Sequence, residues 1–155
     1  MDQTTFKDIC HDASLRLRLP DVEALGRGAA VMVDGTIMEI ADTNRGDRLD
    51  AYLFVEVGVP VEDHRAEAYQ ALLGLQMLLI GTVEGMFVYD AVNDRVLFAA
   101  RLPLWRAIDG AVMADILKAM AAQARTWRGT LLAGQLSDAQ DPRQGFAQAG
   151  LGRLV

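Results

Sequence analysis

The chain has 155 residues, of which 52% are hydrophobic, and a net charge of −6. That is enough apolar material for one domain with a real core, and it excludes a disordered chain. The acid excess, with Lys7 and Lys118 as the only lysines, argues against a nucleic-acid partner, because phosphate contacts need clustered Lys and Arg.

The first residues, Met1-Asp2-Gln3-Thr4-Thr5, lack a basic run followed by an apolar stretch, so no secretory leader is expected. Cys10 has no second cysteine to pair with, which fits a reducing compartment. From Thr5 to Leu17 the apolar residues Phe6, Ile9, Cys10, Ala13 and Leu17 fall at helical spacing. Thr4 or Thr5 is placed to cap this helix, and Pro20 to end it. Leu15 and Leu19 lie off its main stripe.

Two strands are expected next, 29–33 and 36–40, joined by Asp34-Gly35. An Asp-Gly pair between apolar runs is a strong hairpin signal, because a type I′ turn needs φ > 0 at both positions. After a turn at Asn44-Arg45-Gly46-Asp47, a third strand covers 51–57 and ends at Gly58 and Pro60. Its two faces are both apolar. Tyr52 and Phe54 share one, and Leu53, Val55 and Val57 the other, so one face meets helices and the other needs a second cover or binds something.

The segment from Glu62 to Ile80 predicts a helix that becomes apolar almost all the way round, broken only by Gln70 and Gln76. Such a helix must be covered on every side, yet it is too short to span a bilayer, which takes about 20 apolar residues. A second copy of the chain is the expected cover, with Gly74 admitting a neighbouring backbone. Beyond Gly81 and Gly85, strands at 86–89 and 95–100 form a hairpin around Val92-Asn93-Asp94, closed by Pro103. Asp109 caps a third helix with Met113, Ile116, Leu117, Met120, Ala124 and Trp127 on one stripe, and Gly129 fits its end. The order helix, three strands, helix, two strands, helix defines an α+β domain over residues 1–133, with an antiparallel sheet covered by helices. Residues 134–155 read as a flexible tail.

Catalytic chemistry is scarce. The two histidines are His11 and His64. Cys10 and His11 are adjacent and diverge by about 100° on a helix, so they form no nucleophile–base pair. Glu62, Asp63 and His64 sit at a helix start, where acids are expected for dipole reasons. Gly26-Arg27-Gly28 precedes a strand, the wrong context for a dinucleotide loop. Asp47 with Asp50, and Asp90 with Asp94, fall in turns, where Asp serves local hydrogen bonds. No enzyme activity, metal or cofactor is expected, and binding is the better hypothesis.

Three segments then resemble the type III secretion chaperones of the Tir-chaperone (CesT-like) family. They are the first helix ending near Leu19-Pro20, the apolar helix 71–80 running through Gly81 and Gly85 into Met86-Phe87-Val88-Tyr89-Asp90, and residues 96–104 leading into the helix that ends near Trp127. One departure falls at Leu79-Ile80-Gly81-Thr82, where the family often carries Asn. The resemblance implies a cytoplasmic bacterial homodimer that holds the N-terminal segment of a secreted effector non-globular for delivery, without ATP and without inserting into a membrane. It implies a client surface on the first helix and first three strands, carried here to Leu15, Leu19, Val31, Val33, Ile37 and Val55. It implies a dimer surface at Tyr69, Leu72, Leu73, Met77, Met86 and Val88. The alternative is a dimeric α+β adaptor or regulatory module that docks a folded partner.

Overall fold

The structure, a computed structural model, describes residues 3–42, 50–81, 84–103 and 108–134. The turn expected at 44–47 and the tail beyond Gly134 lie outside them. The elements are α1 (Gln3–Leu17), β1 (Val31–Val33), β2 (Thr36–Asp42), β3 (Asp50–Gly58), α2 (Arg65–Leu79), β4 (Gly85–Asp90), β5 (Arg95–Pro103) and α3 (Gly110–Thr130). The five strands form one antiparallel sheet in the order β1-β2-β3-β5-β4. The fold is α+β, in the element order that the hydrophobic pattern predicts.

Local chemistry fixes the turns and caps. Asp34 and Gly35 both have positive φ, 47° and 78°, so the expected turn forms, and Arg125 of α3 donates to the Asp34 carbonyl at 2.7 Å. Asp109 caps α3 by accepting from the Val112 N–H at 2.8 Å. α3 does not stop at Gly129. It continues to Thr130 and through a 3-10 turn at Leu131–Ala133, and Gly134 takes the left-handed position that ends it. The signal at Gly129 misleads because an exposed glycine costs a helix only about 1 kcal/mol, whereas burial of Trp127, Leu131 and Leu132 holds the last turns in place. α1 begins at Gln3, earlier than the Thr caps suggest.

The core lies between the sheet and the α1–α3 pair. Its sheet side is one set of alternate residues, matched across strands by register: Val31–Met38–Val55–Phe98–Phe87 in one row, Ile40–Leu53–Ala100–Gly85 in the next. All but Phe87 and Gly85 are buried. Phe87, Phe98 and Trp127 form a triangle of rings in mutual contact, with centroids 4.9 to 5.1 Å apart. At a bulge between Glu56 and Gly58, Arg128 donates to the Val57 and Glu56 carbonyls at 2.8 and 3.2 Å, which ties α3 to β3.

Two features of this core give measurable expectations. The Thr36 hydroxyl is fully buried and has no hydrogen-bond partner among the described residues. Thr36→Val keeps the shape and removes the unpaired group, so it is expected to stabilise the fold by about 1 kcal/mol. A denaturation midpoint that falls instead would show that the hydroxyl is satisfied.

The second concerns the β4–β5 hairpin. Asp90 accepts from the Asn93 side chain, from Arg95 and from the Val92 and Asn93 N–H groups. Asn93 first, then Arg95, hold the Asp90 carboxyl down to about 2. Arg65 and Tyr89 lower Asp94 in the same direction. A carboxylate depressed on folding stabilises the fold above its unfolded pKa, about 4, and loses that contribution as pH falls through the folded value. Stability is therefore expected to drop between about pH 4 and about pH 2. Asp90→Asn should flatten this dependence in urea titrations, and an unchanged slope would exclude Asp90 as a source.

A candidate binding surface on the open sheet face

The alternation that buries one set of strand residues delivers the other set to the opposite face. By register these are Met32–Ile37 and Glu56–Leu97–Val88 towards one end, Glu39–Phe54–Ala99–Met86 in the next row, and Ala41–Tyr52–Arg101 in a third. Apart from Ala99 they are exposed or half-buried, and none belongs to the core cluster. Among the described residues no helix covers this face. Tyr52 and Phe54 stack there with ring centroids 6.4 Å apart, and Met32 is 63% exposed. The polar groups pair among themselves: Arg95 with Glu56 and Asp90, and Arg101 with Glu84 at 3.0 Å.

A second apolar surface lies at the β4 edge. Gln76 of α2 grips the strand there, its amide nitrogen donating to the Gly85 carbonyl at 3.3 Å and its oxygen accepting from the Phe87 N–H at 2.8 Å. The side-chain amide thus takes the place of a neighbouring strand. Leu73 and Ile80 flank Gln76 at i−3 and i+4, and Met77 lies between them. All three are exposed, Leu73 by 71% and Met77 by 72%. Met86, between the two residues Gln76 grips, is exposed as well. The α2 stripe and the outer side of β4 therefore form one apolar strip. Arg65 holds the start of α2 to the hairpin with two bonds to Asp94, at 3.1 and 2.7 Å, and Tyr69 meets Tyr89 edge-on at 6.0 Å.

Several residues expected at binding surfaces are placed elsewhere. Val31, Val33 and Val55 point into the core and Leu19 is buried, so none can touch a partner in the folded protein. The strand residues have the wrong parity: their neighbours Met32, Tyr52 and Phe54 face outward. Ile37 does lie on the open face. Leu15 is exposed but belongs to α1, on the helical side of the sheet, and does not join it. Leu72 is also core, because positions 68, 71, 72, 75 and 79 form the inner stripe of α2. Leu73, Met77 and Met86 are exposed, while Tyr69 and Val88 are half-buried at the same edge. Gly74 is on the exposed side of α2.

The candidate polar sites resolve into local structure. Asp90 and Asp94 serve the hairpin and the α2 anchor. His11 bonds Glu23 at 2.6 Å on the surface, Cys10 is buried, and His64 is exposed in a 3-10 turn. Among the described residues no three His, Cys, Asp or Glu gather as a metal site, and no helix is long and apolar enough to cross a membrane. Nothing matches this chain among protein-family models, curated proteins or solved structures.

Proposed function

We propose that this chain is a secretion chaperone of the type III kind: a homodimer that holds the N-terminal segment of an effector in a non-globular state. The observation that carries the reading is the open sheet face, where Met32, Ile37, Tyr52, Phe54 and Leu97 stand apolar without a covering layer among the described residues. A non-globular segment supplies alternating apolar side chains to such a face and backbone groups to a sheet edge. The exposed strip of Leu73, Met77, Ile80 and Met86 is the surface assigned to the second copy. Holding of this kind needs neither nucleotide nor metal.

Purification from the native cell with the bound protein identified tests the reading. The expected companion is a secreted protein held through its N-terminal segment, with limited proteolysis cutting freely outside the protected stretch. A companion bound through a folded domain would instead establish the adaptor reading.

A further inference from the structure

Glu39 stands out on the open face. It is exposed and has no hydrogen bond or ion pair among the described residues, whereas Glu56, Asp90, Arg95, Arg101 and Glu84 on or beside this face are all paired. Its neighbours are apolar: Ile37 and Ala41 precede and follow it on the same face of β2, and Phe54 lies directly opposite on β3. Opposite residues on one face of an antiparallel pair have Cβ atoms about 5 Å apart, which puts the carboxylate within reach of a group lying on the Phe54 ring. Tyr52, two residues along β3, stacks with Phe54 at a ring-centroid distance of 6.4 Å.

We infer that Glu39, Phe54 and Tyr52 form a seat for an arginine of the client segment, flanked by apolar side chains that take Met32 and Ile37. This rests on the proposed client role of the open face. The chemistry is specific. A guanidinium lies flat on an aromatic ring and presents its N–H fork to a carboxylate, which a Lys ammonium or a neutral side chain does less well. Charge selects the same occupant: Arg101, opposite Tyr52, is answered by Glu84 at 3.0 Å and Arg95 by both Glu56 and Asp90, so these groups leave the face net negative, and Glu39 has no cation beside it among the described residues. An acidic client side chain at that point meets like charge.

The test uses the full-length protein and a short Val/Leu/Ser host peptide carrying Arg, Lys, citrulline or Glu at its centre, with binding read by fluorescence anisotropy. The Arg peptide is expected to bind about fivefold more tightly than the citrulline peptide, the scale of one exposed cation–π contact with one surface ion pair. Lys should fall between them, and Glu should be weakest. Glu39→Gln, a change at an exposed carboxylate, should remove the ion-pair part of this preference and leave the cation–π part, about twofold, with citrulline binding unchanged. Equal binding of Arg and citrulline by the wild type overturns this inference alone, as does an Arg preference that Glu39→Gln leaves undiminished. Failure of every peptide to bind overturns the client role as well. A Phe54→Ala variant that turns a dimer into a monomer would show that a second copy covers the face, and would overturn the seat.

Discussion

Leu73→Asp is expected to yield a folded monomer, and Leu72→Asp an unfolded chain. The two residues are adjacent on α2 but face opposite ways. Leu72 is packed in the core and Leu73 is 71% exposed. A carboxylate at 72 has no partner in an apolar interior and costs about 3–5 kcal/mol, a large part of the stability of a domain this size. At 73 it costs the protomer little, but in the dimer it would be buried against the partner's apolar strip. Light scattering should report twice the 16.9 kDa chain mass for the wild type and the single mass for Leu73→Asp and Met77→Asp, with circular dichroism unchanged. A wild type that is monomeric at micromolar concentration would remove the α2–β4 dimer from the account. A Leu73→Asp protein that stays dimeric would move the interface elsewhere.

Gly85→Ala and Gly129→Ala should shift stability in opposite directions. At Gly85 a Cβ would lie 2.5 Å from Phe98 Cζ and 2.8 Å from Cε1. The ring cannot give way, since it is fully buried and packed against both Phe87 and Trp127. Overpacking there is expected to cost about 3 kcal/mol. A Cβ at Gly129 meets nothing within 4 Å, and the residue lies inside α3, so Ala is expected to add up to about 1 kcal/mol. Thermal midpoints check both. A Gly85→Ala protein as stable as wild type would show that β4 can slide away from Phe98.

The strand alternation was legible in full. Tyr52 and Phe54 against Leu53, Val55 and Val57 is a period-2 pattern, and the structure separates those sets onto the open and covered faces. What the pattern alone does not say is which apolar set faces the helices. In β1 both sets are apolar, and only the register through β2 to β3 and the packing of α3 decide that Val31 and Val33 go inward and Met32 outward. The helix α2 shows the same limit: a segment apolar all round gives no periodic clue separating Leu72 from Leu73. Gln76 was visible as a polar break in that helix. Its role at the β4 edge was not, because it depends on how α2 crosses a strand that follows it in the chain. Glu39 was hidden for a simpler reason. A single acid in an edge-side hairpin strand looks like any solvated residue until its neighbours across the sheet are known.

The most direct test of the central claim is a titration of an isotopically labelled, disordered N-terminal effector segment from the same genome into wild-type protein, Phe54→Asp and Val55→Asp, read by calorimetry and by the NMR spectrum of the segment. The account predicts that wild type binds with no added nucleotide or metal, and that the bound segment shows no globular dispersion of its own. Phe54→Asp should stay folded and dimeric and lose most of that binding, while Val55→Asp should not fold. Undiminished binding by a folded Phe54→Asp dimer, or binding only to a folded effector domain, would contradict it.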